Sequence, residues 1–437
     1  MNTLTPFLFS SQSLSFGSMN AVSAKAATLI GSEIIKLASE INQKIKSGER
    51  IFNLTIGDFN PSLFPIPDRL KQLIIDAYIG NETNYPPADG IADLKSAVAA
   101  FIRKYENLEY SGDEIIISGG GRPLIYAIYQ TIVDEGDMVV YPVPSWNNNH
   151  YCHLSEARKA EVITSSENSF MPLAEELEPY IGEAVLIALC SPLNPTGTTF
   201  RKEQLTKICR LVLDENKKRG GTRKPLYILY DQIYWMLHAE GQEHFNPVSI
   251  NPEMRPYTIF VDGISKSLSA TGVRVGWSLG PANIISKMKS ILGHIGAWAP
   301  KAEQVATAKF LFEEESVHEY LTGLKLKINK RFDLIYAGIE SMRKKGLPVT
   351  IIKPEGAIYL SAQFSLIGKI KPDGTKIERT EDITAYLLTE AKFAAVPFTA
   401  FGCESGTDWY RLSIGTISTE EIPDMLRMLE EALERLR

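Results

Sequence analysis

Between residues 114 and 261 short apolar runs alternate with helical segments, and this alternation limits the fold more than any other feature of the chain. The runs at 114–118, 138–141, 184–188, 226–230 and 258–261 are apolar, strand-like and four or five residues long, the first of them β-branched. Segment 123–133, with proline at its first turn, and segment 203–218, amphipathic, read as helices. Strands separated by helices imply a mainly parallel sheet covered on both faces. Residues 64–320 are assigned to this large α/β domain. Beyond them the pattern changes: a long charged helix at 321–345, strands at 349–352, 357–361, 394–396 and 409–414, and helices at 383–391 and 420–437. That describes a smaller α+β domain, 321–437, with residues 1–63 as an N-terminal arm plus a helical piece, 24–47, that packs with it. With no linker of low complexity between them, the two domains are expected to touch along a broad face.

Composition enters as an exclusion. A net charge of −6 and a pI near 5.7 leave no basic surface to release counterions from a nucleic acid or an acidic membrane. The four cysteines, Cys152, Cys190, Cys209 and Cys403, are scattered and form no C-x-x-C pair. They indicate a reduced, cytoplasmic protein and neither a disulfide framework nor a zinc site; no metal is expected. The opening twenty residues are Ser-rich and lack a basic region before the short apolar run at 7–9, so a signal peptide is not expected. They read as a mobile tail or an arm that packs on a partner, with Met19 as an alternative start. No run reaches the length of a membrane helix.

In open parallel sheets, ligands sit beyond the carboxyl ends of the strands. Unusual residue clusters occur at those ends. GISKSLSATGVRVG, 263–276, sets Lys266 among small and hydroxyl residues, with Arg274 eight further on. Ser265 and Ser267 suit phosphate oxygens, and the Arg274 fork suits the same dianion. YDQIYW, 230–235, places Asp231 at a strand end, where a buried acid is costly unless paired. Its bland reading is a helix cap. Asp262 is a rival acid, read as structural. SPLNPTGT, 191–198, is a turn in any protein and carries Asn194. GGGRP, 119–123, exposes backbone N–H groups at a helix start, an anion site made of Gly120, Gly121 and Arg122. It lacks both the Walker A and the dinucleotide-binding spacing. Trp146 in PVPSW, Tyr85 in NYPPADG, Gly57 in LTIGDFNP and Arg411 in YRLSIG are each unremarkable alone, although a buried arginine at 411 needs an anion.

Taken in order, these clusters resemble the class I/II aminotransferases of the pyridoxal-5′-phosphate (PLP) fold-type-I family, and the resemblance spans nearly the whole chain. It implies a large domain with a mainly parallel sheet of the seven-stranded type and a smaller α+β domain. It implies PLP held as a Schiff base on Lys266, with Asp231 on the pyridine nitrogen, Tyr234 and Asn194 on the ring oxygen, and Trp146 stacked on the ring. The phosphate falls to Gly120, Gly121, Arg122, Ser265 and Arg274, and to Tyr85 reaching across a homodimer. The substrate falls to Arg411 and Gly57 at the α-carboxylate, with Asn194 and Trp146 beside it. Gly263 departs from the pattern, since many relatives carry a serine there as a further phosphate hydroxyl. The implied activity is amino transfer from an L-amino acid, dicarboxylic or aromatic, to a 2-oxo acid such as 2-oxoglutarate, with ping-pong kinetics and the freed Lys266 amine as general base.

Arg122 bears on the substrate. A cation in the first turn of a helix opposes the macrodipole by about 0.3–1 kcal/mol, so it calls for an anionic partner. That partner is either a distal substrate carboxylate or a nearby protein acid. Two rival functions remain at the sequence level. A PLP lyase on the same fold shares Lys266 and Asp231. A non-enzymatic PLP-binding regulator requires an N-terminal DNA-binding domain, for which the residues before the first motif offer no helix-turn-helix.

Overall fold

The computed structural model describes residues 22–29, 31 and 33–437. The expectations placed on residues 1–20 lie outside the described residues. The N-terminal unit, through Ile30, holds a short helix, α1 (Ala24–Thr28), capped by the Ser23 hydroxyl, which accepts from the Ala26 N–H at 3.2 Å.

The second unit runs from Gly31 to Arg437. Its frame is a seven-stranded sheet: β1 (Ile115–Ser118), β2 (Met138–Val143), β3 (Arg158–Ile163), β4 (Ala184–Cys190), β5 (Tyr227–Asp231), β6 (Thr258–Gly263) and β7 (Gly276–Leu279), in the order β1-β7-β6-β5-β4-β2-β3. β7 runs antiparallel to both its neighbours, and the other pairings are parallel. The exception follows from chain length. Between β6 and β7 lie only the short helix α3 (Ile264–Ser267) and a turn, too little for a parallel crossover, so the chain reverses with Gly263 opposite Gly276. The apolar runs feed two cores: Ile115 and Ile117 belong to one and Ile116 to the other, as alternate residues of a sheet buried on both faces must. The sequence reading missed β3 and β7. β3 is an edge strand with exposed charges, and β7 is four residues long, so neither carries a clear apolar period.

A second, antiparallel sheet of four strands has the order β10-β11-β9-β8, with β8 Val349–Ile351, β9 Tyr359–Phe364, β10 Val396–Pro397 and β11 Trp409–Ser413. The strand expected at 394–396 is divided. Phe393–Ala394 pairs in parallel with Phe52–Asn53, and the chain changes partner at Ala395 before β10. The helix expected from 321 begins earlier, as Glu314–Lys344, with Glu314 and Glu315 in its first turn complementing the dipole. Its apolar stripe passes from the core under the large sheet (Val317, Leu321) to the core under the small one (Leu324, Ile328, Phe332). No described helix is long and apolar enough to cross a membrane, and the four cysteines are unpaired.

Candidate active site

The carboxyl ends of the parallel strands open onto a cavity of about 580 Å³. Cys190 closes β4, Asp231 closes β5, and α3 carries Lys266 just past β6; all three line the cavity. Gly57, Gly121, Arg122, Trp146, Asn194, Tyr234, Ser265, Arg274 and Arg411 line it too. The sheet thus gathers residues more than 350 positions apart in sequence, Gly57 and Arg411 among them.

Lys266 Nζ donates to the Gly57 carbonyl at 2.7 Å. Burial pushes its amine down to about 8; Asp58 opposes that shift, and the Arg411, Arg122 and Arg274 guanidinium groups add to it. Burial pushes the Asp231 carboxyl up to about 6, only partly offset by the Ile233 N–H it accepts at 3.1 Å. An acid so placed favours a cationic partner.

At the opposite wall, helix α2 (Gly121–Ile132) starts at the glycine cluster. Gly120 has φ +96°, and a Cβ there would lie 2.3 Å from an Arg274 guanidinium nitrogen, so only glycine lets the helix start and the arginine meet. Arg274 donates to the Thr271 and Gly119 carbonyls, at 2.7 and 2.6 Å, and pairs with no acid among the described residues. A guanidinium, the Ser265 side chain and a helix N-terminus converge as a phosphate cradle does. Gly263 packs too tightly for a serine: a Cβ would lie 2.7 Å from the Gly276 Cα and 2.8 Å from the Val275 carbonyl oxygen.

Arg411, on β11, is 2 % exposed. It donates to Asn194 Oδ1 at 3.1 Å and to the Thr55 carbonyl at 2.6 Å, while its Nε is buried without a partner. No acid pairs with it among the described residues. Arg122 is solvent-exposed with its guanidinium over the Trp146 ring, 4.7 Å from the centroid, and no carboxylate among the described residues pairs with it either. The protein acid weighed as its partner is therefore not in place. Tyr85 stands apart from the cavity, 82 % exposed, its ring edge-on to Trp298 at 5.2 Å.

The residues behind the cavity explain how its wall is held. Gln232 and Trp235 point away from it. Gln232 Nε2 donates to Glu106 at 2.7 Å, and Trp235 Nε1 to Asp262 Oδ2 at 2.8 Å. The other oxygen of Asp262 accepts from Gly263 N–H at 2.7 Å, at the entry to α3. Asp262 thus ties the turn bearing Asp231 and Tyr234 to the helix bearing Lys266.

Sequence reasoning missed Tyr359, at the start of β9. Its hydroxyl lies 2.7 Å from the Tyr234 hydroxyl, and Arg411 covers its ring. The signal was faint, a tyrosine three residues after Gly356 in an apolar strand.

Residues 49–429 match the family described as aminotransferase class I and II. The chain is 29% identical to the aspartate aminotransferase of Bacillus sp. (strain YM-2), covering 94% of this chain and 97% of that one. It is 30% identical over 374 residues to the probable aspartate/prephenate aminotransferase of Rickettsia bellii (strain RML369-C), covering 84% of this chain and 88% of that one. Among solved structures it is similar to the aspartate aminotransferase from Thermus thermophilus with maleate, with TM-score 0.84, 26% identity, and coverage of 95% of this chain and 100% of that one.

Proposed function

The chain belongs to the class I and II aminotransferases, an enzyme family that transfers amino groups, and from that premise we propose that it moves the amino group of a dicarboxylic L-amino acid such as aspartate to a 2-oxo acid such as 2-oxoglutarate, with PLP as its cofactor. The observation that carries this reading is the pattern of unanswered charge in one cavity: an amine of lowered basicity, an acid without a cation, and three arginines without acids.

The donor set fits the cofactor. Lys266 is the amine for its carbonyl, and Asp231 is the acid for its ring nitrogen. Tyr234 and Asn194 are donors for its ring oxygen, and Trp146 is the stacking partner. Arg274, Ser265 and the α2 N-terminus, with Gly120, Gly121 and Arg122, are the phosphate's neighbours. When bound, the cofactor supplies a carbonyl for the amine and a ring that takes up electron density from the substrate Cα. Every other task falls to the protein. Arg411 grips the α-carboxylate in the place where its Nε lacks a partner, with Gly57 beside it. The Lys266 amine, which burial pushes down to about 8, takes the Cα proton and would deliver it to the carbon that was the cofactor's carbonyl. Burial of Asp231 strengthens its pairing with the ring nitrogen in a medium of low dielectric.

The dicarboxylate rests on Arg122, a cation at the cavity without a protein acid, and is supported by relatives named aspartate and aspartate/prephenate aminotransferase and by a neighbour solved with the dicarboxylate maleate. We also propose a cytoplasmic homodimer in which exposed Tyr85 reaches the neighbouring cofactor phosphate, a reading supported by the unpaired cysteines and by the exposure of that side chain.

A single-turnover survey of amino acids tests the reading, with loss of cofactor absorbance and release of the 2-oxo acid as readouts. Aspartate and glutamate should react fastest, and Lys266→Ala should lose both signals. Release of ammonia and pyruvate with no aminated cofactor would instead assign a lyase.

A further inference from the structure

Tyr359 is fully buried, and its surroundings join two parts of the cavity that the functional reading treats separately. Its hydroxyl is 2.7 Å from the Tyr234 hydroxyl, the rings meeting edge to face at 5.5 Å. Its ring carries the Arg411 guanidinium, 4.7 Å from the centroid. The register explains this: Tyr359 pairs with Ser413 and Ser361 with Arg411, so Tyr359 and Arg411 are diagonal neighbours on one face of the small sheet. Above the hydroxyl lies Gly57, where a Cβ would come within 2.7 Å of the Tyr359 oxygen. The carbonyl of that same glycine accepts from Lys266.

Which phenol donates follows from the arginine. A cation over the Tyr359 ring withdraws electron density from its oxygen and makes it the better donor of the two. Among the described residues the Tyr234 oxygen is the acceptor within hydrogen-bond distance of that hydroxyl. We propose that Tyr359 is a positioning residue for the transfer reaction: its hydroxyl donates to Tyr234, so that the Tyr234 proton is aimed into the cavity, while its ring seats the carboxylate-binding Arg411. This deepens the functional reading above and rests on it. The two functions separate by chemistry, because phenylalanine keeps the ring and removes only the donor.

The test is Tyr359→Phe in the holoenzyme, read by the pH titration of the bound cofactor's absorbance. A Tyr234 that receives no hydrogen bond is a weaker donor, since linked hydrogen bonds polarise one another. The deprotonated chromophore is then less stabilised, and the midpoint should rise by about half to one pH unit. The KM for the amino donor should change less than about twofold, because Arg411 keeps its ring, while kcat falls about three- to tenfold. Tyr359→Leu, which loses the ring as well, should raise that KM. In a Tyr234→Phe background, Tyr359→Phe should add no further shift in midpoint, an outcome that a general packing role for the tyrosine does not produce. A cofactor band that titrates in Tyr359→Phe as in the unaltered chain overturns the proposal alone. So does a shift that persists at full size without the Tyr234 hydroxyl. An unaltered chain with no cofactor band at all overturns the functional reading beneath it. Thermal unfolding of each variant separates these outcomes from loss of fold.

Discussion

At the scale of single residues the site is defined by charges without protein partners, some of them buried. Lys266 shows the cost. Its folded value of about 8 lies below the ordinary lysine value of 10.5. Below pH 8 the amine is charged in the folded and unfolded chains alike, and the burial penalty is present in full. Between about 8 and 10.5 only the folded chain gives up its proton, so stability rises with pH across that window. Lys266→Met, measured without added cofactor, should therefore raise the thermal unfolding midpoint at pH 7 by a few degrees and flatten the rise; a lowered midpoint contradicts the assignment. Arg122 gives a sharper test. A charge-assisted pair to the distal carboxylate is worth about 1.5–3 kcal/mol, so Arg122→Ala should lower kcat/KM for aspartate about 10- to 150-fold and leave alanine within a fewfold. Equal losses on both donors remove the dicarboxylate reading. The charged members of the site were legible in sequence because each stood in a short motif, Lys266 and Asp231 at strand ends, Arg122 at a helix start and Arg411 within a strand. Tyr359 was not, because a tyrosine in an apolar strand reads as core until its hydroxyl partner is known.

At the scale of elements the notable feature is the layer of acids behind the cavity. Asp262 accepts from Trp235 and from Gly263, and both Asp262 and Glu106 are held neutral-leaning by burial, Glu106 pushed up to about 7. Asp262→Ala strands two buried N–H donors, each costing about 1–3 kcal/mol. Denaturant unfolding should show that loss, and combining the variant with Trp235→Phe should cost less than the sum of the two, because they share one bond. Strict additivity rules out the tie. The sequence reading identified Asp262 as an acid without a site role but had no means of saying which way it faced, since that depends on the register of β6 with β7. Long helices and central strands were legible from period and apolar run. The edge strand β3, the short β7 and the split at Ala395 depend on pairing partners far along the chain, which local pattern does not carry.

Across the whole molecule, function depends on joining the large sheet to the small one. Glu355, just before β9, accepts from the Thr199 N–H at 2.8 Å and its hydroxyl at 3.1 Å, and pairs with Arg201. Its own N–H and that of Gly356 donate to the Gly197 carbonyl, at 2.8 and 3.0 Å. The loop that bears Asn194 is thus fastened to the strand that bears Tyr359. The proposed dimer makes a separate prediction. If Tyr85 serves the partner's site, Tyr85→Ala and Lys266→Ala homodimers should both be nearly inactive. Mixing and reassembling them should restore activity, because one of the two sites in a hybrid has both residues intact. No recovery, with exchange of subunits verified, confines the site to one chain.

Gly197 itself has φ +71°, and a Cβ there would sit 2.1 Å from the Tyr359 carbonyl oxygen. The loop and strand are therefore separated by the thickness of one hydrogen atom. A methyl group at this point acts as a doorstop, propping the jaw that carries Arg411 and Tyr359 away from its anvil. Anyone reshaping the enzyme for bulkier donors has a spacer to adjust here, three residues from Asn194, and should see grip on small acids slacken first.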